Sequence, residues 1–341
     1  MKSGRGVSRV GAVLPMALAI MVIVGLAAST ALFTGRLERQ SSWNTRLQTI
    51  ALGAADRGIA ELLASVASAA PSLAIGATLD RELELSAHAS TTVRLTRLGT
   101  TLFVLRSDAH ARSAHNLSAH RRTSLLLRLD PPALGIGAAL SIVGPIPPDA
   151  ALADGVDAAP SGWPCGDPRP DSTSIAHPLP PIDTAQQRDL RDRASVTFAD
   201  GTILRGAHPT VRDGACETAR ADNLGDPDRA GPCASWLPVV HARGDLTLDG
   251  GKGQGVLLVD GDLTLGGGFR FVGVVIVDGG LRVAGGGGSI TGAVIAGVVT
   301  DESGSASPAP IVHRSTCAVE SALVAAGRLV PVPDRPWSVG R

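Results

Sequence analysis

The run GGKGQG at 250–255 is where glycines and a lysine beside an apolar strand come nearest to a phosphate-cradling loop. A P-loop needs Gly-Lys followed by Ser or Thr, and here Lys252 is followed by Gly253. A dinucleotide fingerprint needs a helix after its glycines, whereas GVLLVDGDLTL follows and reads as strand. Calcium-binding nonapeptides need aspartate at the sixth position of G-G-x-G-x-D, and that position is Gly255. Asp260, Asp262 and Asp278 could supply paired carboxylates for glycoside chemistry, but each occupies an Asp-Gly or Gly-Asp turn, where aspartate is ordinary punctuation. No G-x-S-x-G elbow occurs. His110, His115 and His120 recur every five residues, a spacing that lines up on neither a helix nor a strand, and they read as solvated loop residues. There is no C-x-x-C and no H-x-x-x-H for zinc. The expected catalytic, cofactor-binding and metal-ligating sets are all empty, and no nucleotide is expected as a partner.

The four cysteines, Cys165, Cys216, Cys233 and Cys317, offer redox chemistry instead. In an oxidising compartment two disulfides are the default. Cys216 with Cys233 closes a short loop, and Cys165 with Cys317 would then tie the middle of the chain to its tail. Three pairings are open. Lysine plus arginine (31) balances aspartate plus glutamate (31), tyrosine is absent and aromatic residues make up 3%. That leaves neither a basic field nor stacking platforms for nucleic acid.

The glycine-rich region explains itself when it is aligned with itself. GVLLVDGDLTLGGGFRFV begins at Gly255, GVVIVDGGLRVAGGGGSI at Gly273 and GAVIAG at Gly292, with GDLTLDGG at Gly244 matching GDLTLGGG at Gly261. Four related segments at 17–19 residue intervals are the signature of stacked coils of short parallel strands. Strands are expected at 256–259, 263–265 and 269–271, then 274–277, 281–283 and around Ile290. Leu257 should stack on Val275 and Val294, and Val259 on Val277 and Ala296.

Residues 10–33 form 24 consecutive residues without a charge. As a helix they reach about 36 Å, enough for a ~30 Å hydrocarbon core. Lys2, Arg5 and Arg9 precede them, so the positive-inside rule puts the N-terminus in the cytoplasm. Gly25 and Ala28, with Ala27 and Ser29, would let another helix approach closely. A cleaved secretory signal ending near Ala28 is the simpler rival. Beyond the span, Leu47, Ile50, Ala51, Ala54, Ile59, Leu62, Leu63 and Val66 recur at steps of three and four, one amphipathic face that extends the helix. Alternating runs predict strands near 91–97, 101–107 and 122–129.

The basic leader RGVSRVGAVLPMALA, the apolar span and GRLERQSSWNTRLQTIALGAADRGIAELL, with Ala54, Ala55, Asp56 and Gly58, resemble the N-terminus of type IV pilus assembly proteins of the minor-pilin-like kind. The resemblance covers residues 5–65. It implies prepilin-type processing, with Gly6 and Gly11 as candidate sites, and packing against other pilin-like subunits. One departure is plain. Cuts after Gly4, Gly6 or Gly11 put Arg9, Gly11 or Met16 where that family carries a glutamate. The coil region is also similar to the C-terminal part of some of these proteins, and loosely to bactofilin-type coils.

The fold class expected is therefore α+β followed by all-β: a long transmembrane and amphipathic helix with a small antiparallel, pilin-like sheet, then a short β-helix. The parts are a cytoplasmic leader (1–9), a membrane span (10–33), the helix-and-sheet unit (34–130), a linker (131–190) in which, up to 181, twelve prolines fall, and a region (191–341) holding an Asp-Gly hairpin near 195–205. That last region also holds the disulfides, the β-helix (about 244–300) and a helix capping its open end. The expected role is non-catalytic, in pilus or pseudopilus assembly at the inner membrane, with the membrane and other pilus-assembly proteins as partners. A membrane-anchored β-helix adhesin or scaffold and a β-helix carbohydrate-active enzyme are the alternatives.

Overall fold

The computed structural model describes residues 13–66, 73–113, 117–144, 153–166, 173–176, 184–302, 311–333 and 337–340. The leader with Gly6 and Gly11, and also His115, lie outside them. Helix α1, Val13–Val66, is one unbroken rod of 54 residues, about 81 Å long. Its apolar part is left uncovered by the other described residues: Leu18, Ile20, Ile23 and Leu26 are all more than half exposed. The hydroxyls in or just beyond this part donate to their own helix, Ser29 to the Gly25 carbonyl at 2.7 Å and Thr30 to Ala27 at 2.9 Å. They therefore need no water.

The second half of α1 is buried along most of the expected stripe, with Leu47, Ala51, Ala54, Ala55, Ile59 and Leu62 inside, whereas Ile50 is 41% exposed. It lies on an antiparallel sheet of β1 (Thr78–Ser86), β2 (Ala89–Arg97), β3 (Leu102–Arg112) and β4 (Ser118–Asp130). Strict alternation sends Val93, Leu95, Phe103, Leu105, Leu125, Leu127 and Leu129 to the helix. Three strands are close to those expected; β1 is additional, its charged TLDRELELS having concealed it at the sheet edge. The small residues of the AADRG segment have a packing reason. At Gly58 a Cβ would stand 2.6 Å from Thr91 Cγ2 and 2.9 Å from Val93 Cγ2, so the rod can lie this close only without a side chain there. Gly58→Leu is expected to cost about 3 kcal/mol by overpacking, read as a lower urea midpoint in detergent and easier proteolysis of 73–130; an unchanged midpoint would refute the contact.

The repeat region is a parallel β-solenoid of about four turns with three walls. The first wall stacks β8 (Val196–Phe198), β12 (Val239–Ala242), the end of β13 (Leu246–Val259), the middle of β15 (Phe269–Val283) and of β16 (Gly288–Asp301). The second wall stacks β9 (Thr202–Ala207), the start of β13, β14 (Leu263–Gly266) and the ends of β15 and β16. The third runs through Lys252, Arg270 and Ser289 to β17 (Val312–Arg314). The columns are the expected ones: Leu257 on Val275 on Val294, and Val259 on Val277 on Ala296. Corners between the first two walls are tied by aspartates. The Asp200 carboxylate accepts from the Asp245 amide, Asp245 from Asp262 and Asp262 from Gly280, at 2.7, 2.8 and 2.7 Å.

Three expectations change. Residues 195–205 are not a hairpin: β8 and β9 pair in parallel with β12 and β13, and Asp200-Gly201 is the first coil corner. The Asp-Gly hairpin lies instead at β10 (Val211–Arg212) and β11 (Ala215–Cys216), around Asp213 and Gly214. The Pro-rich stretch is not all linker. Its proline-free AALSI forms β5 (Ala138–Ile142), fully buried, pairing with β16 on one side and β7 (Thr173–Ala176) on the other, while β6 (Ala153–Asp154) pairs with β17. Chain that precedes the coils thus closes their far end. Finally, α3 (Thr316–Ala325) covers a flank rather than the open end. The first-wall strands VLLV, VVIV and AVIA are apolar on both surfaces. Their outward Val256, Leu258, Val274, Ile276 and Ile295 would cost roughly 10 kcal/mol if left in water. Val319, Ala322 and Ala326 of the α3 segment cover them, with Leu190 of α2 (Thr184–Asp192).

After α3 the chain returns to the first sheet, where β18 (Arg328–Pro331) and β19 (Trp337–Gly340) pair antiparallel with β4. The solenoid is therefore an insertion between two strands of the helix-and-sheet unit. Val324 of α3 also packs on the sheet core.

Candidate functional surfaces

Lys252, the cation of GGKGQG, is held by two carboxylates, Asp226 Oδ1 at 2.9 Å and Asp228 Oδ2 at 2.8 Å, and Arg270 joins Asp228 at 3.2 Å. The backbone of 252–255 lies in the ladder with β15, and the Gln254 amide donates to the Leu224 carbonyl at 2.8 Å. Next to it Gln254, fully buried, donates from Nε2 to the carbonyls of Cys233, Ala234 and Trp236. The run thus clamps the 208–237 excursion onto the third wall.

The other carboxylates are tied in the same manner. Arg191 of α2 bridges Asp260 at 2.9 Å and Asp278 at 2.7 Å, and His241 Nε2 lies 2.9 Å from Asp260. Asp262 is a corner tie. Among the described residues no three His, Cys, Asp or Glu side chains converge as metal ligands. His110 and His120 lie on strands, not a loop: they face each other across β3 and β4 with ring centroids 4.6 Å apart.

The Lys252 cluster carries a pH signature. The Lys252 hydrogen bond holds Asp228 below the ordinary carboxylate range. Burial opposes the Lys252 ammonium, but its bonds to Asp228 and Asp226 outweigh this and raise its pKa. The Asp228 contribution is thus complete above its unfolded pKa of about 3.9 and lost as pH falls through its lower folded value. The Lys252 contribution is complete below its unfolded pKa of about 10.4 and lost as pH rises through its higher folded one. The stability difference between the wild type and Asp228→Asn should be flat from about pH 5 to 9, begin to shrink below about pH 4 and vanish only below the lower folded pKa of Asp228; a difference changing near pH 7 would contradict it.

The disulfides are Cys165–Cys317 and Cys216–Cys233, with Cα separations of 5.7 and 4.8 Å. The first joins the 153–166 segment to the start of α3 beside Trp163, Val272 and Ala318. The second staples the excursion that Gln254 also holds. A cleft of about 820 Å³ opens where sheet, excursion and α3 meet, lined by Arg97, Arg229, Trp236, Leu237, Val324 and neighbours. Its residues are far apart in sequence, and no local pattern marks them.

The remaining surface is the bare half of α1. It contains a window of mean hydropathy 2.4 with none of it buried, long and apolar enough to cross a membrane. Gly25 and Ala28 lie on it, three residues apart, and nothing stands within 4 Å of the Cβ position at Gly25. Comparison with protein-family models, with curated proteins and with solved structures returned no match.

Proposed function

We propose that this protein is a non-catalytic, minor-pilin-like component in the assembly of a type IV pilus or related pseudopilus. It is held in the inner membrane by the bare half of α1, with the N-terminus cytoplasmic and the sheet and solenoid on the other side. The observation that carries the reading is the division of one unbroken helix: its apolar half is uncovered, while its second half is buried in a small antiparallel sheet. A soluble protein that left so much apolar helix bare would aggregate, so a membrane or other helices must cover it. Gly25 and Ala28 then allow a neighbouring pilin-like helix to approach. Two disulfides suit an oxidising compartment. The solenoid, fixed to the sheet at both its chain ends, presents a rigid body for contacts away from the membrane.

Deleting the gene and complementing it with the wild type tests this. Piliation and twitching should fall and be restored. Intact pili and twitching with weakened surface attachment would favour a membrane-anchored β-solenoid adhesin instead.

A further inference from the structure

Just beyond the apolar span, α1 carries Arg36, Arg39, Trp43 and Arg46. At 3.6 residues per turn these four fall within an arc of about 80°. Glu38, the carboxylate of that stretch, lines the same surface hollow as Arg39, Trp43 and Arg46, so three arginines and one carboxylate leave the stripe net positive. Leu47 falls beside the same arc and is buried against the sheet, so the stripe runs along one flank of the sheet-covered face. None of the three stripe guanidiniums forms an ion pair with a carboxylate among the described residues. On the sheet, Asp108 is engaged by Arg106 and Arg122. Arg46 lies 5.8 Å from the Trp43 ring, and Trp43 is 44% exposed. Measured along the helix from Phe33, Arg36 stands about 5 Å and Arg46 about 20 Å beyond the apolar span.

Arginines with an interfacial tryptophan, continuous with a membrane span, match the charge of phosphodiester headgroups. We propose that this surface binds anionic phospholipid headgroups of the leaflet from which the helix-and-sheet unit emerges, drawing the rod into a tilt toward the stripe. The inference rests on the membrane-anchor part of the proposed function.

The test uses the full chain reconstituted in vesicles of phosphatidylcholine with or without about 30 mol% phosphatidylglycerol. Quenching by headgroup-spin-labelled lipid is measured for the wild type and for Trp43→Phe, the difference isolating that indole. Trp43 quenching should rise with phosphatidylglycerol. It should return to the neutral-lipid level in roughly 0.5 M salt and in an Arg36→Gln, Arg39→Gln, Arg46→Gln variant. Each arginine contributes about fivefold to surface association, so the triple variant loses on the order of 100-fold. Quenching independent of lipid charge, or a stripe covered by a second copy in cross-linking, overturns the lipid site while leaving the anchor intact. A chain that alkaline carbonate strips from the vesicles overturns the anchor, and this surface with it.

Discussion

Gly273→Ala should abolish the solenoid fold. Gly273 adopts φ +141°, and a Cβ there would stand 2.0 Å from the Gly255 carbonyl oxygen of the coil below. Gly292 repeats the arrangement one coil on, 1.9 Å from the Gly273 oxygen. The positive φ alone costs about 1–3 kcal/mol. The carbonyl cannot retreat without opening the ladder on both sides, so a total loss of at least about 4 kcal/mol is expected, a large part of a normal domain's stability. Gly285→Ala is the matched control, since nothing lies within 4 Å of its Cβ position; its change should stay within about 0.5 kcal/mol. Urea unfolding followed by far-UV circular dichroism reads both. Equal midpoints for Gly273→Ala and the wild type would mean that the coils do not stack through these glycines.

Replacing Cys165 and Cys317 by serine should be the next most damaging change. The bond joins residues 152 apart in sequence, against 17 for Cys216–Cys233. In the chain-entropy model these closures contribute about 5 and about 3 kcal/mol. The longer one also holds α3 at the wall whose outward side chains would otherwise meet water. The Cys165→Ser, Cys317→Ser pair should therefore lower the urea midpoint more than Cys216→Ser, Cys233→Ser and expose α3 to protease. The reverse order would show that the excursion, not the α3 contact, is the weak point.

Much of this architecture was legible because it is periodic. Glycine spacing located the coils, and the columns through Leu257 and Val259 follow from a period of 17–19 residues. The buried stripe of α1 follows from steps of three and four. What stayed hidden depends on partners distant in sequence. AALSI at β5 is four apolar residues and a serine in a proline-rich setting, and only the exposed edge of β16 gives it a place. Arg328–Pro331 and Trp337–Gly340 join β4, some two hundred residues upstream, and no local pattern names that partner. The Asp-Gly at 200–201 looked like a hairpin because a coil corner and a hairpin use the same turn chemistry. One signal was present and went unread: VLLV, VVIV and AVIA do not alternate, so their strands had to be covered on both surfaces. A helix on that flank follows, which is where α3 lies. For the candidate surfaces, the bare apolar helix was plain from composition. The carboxylate ties to Lys252 and Arg191 required the fold.

The bare half of α1 is the centre of the proposed role, and its neighbours in the cell decide it. The most direct measurement places a photo-crosslinking amino acid at Ala28 of the full-length protein, expressed in its own cells, and identifies the adducts by mass spectrometry. The expected result is cross-links to pilin-like subunits through their N-terminal helices, lost when those subunits are deleted. Adducts to lipid alone, in cells that are assembling pili, would contradict it.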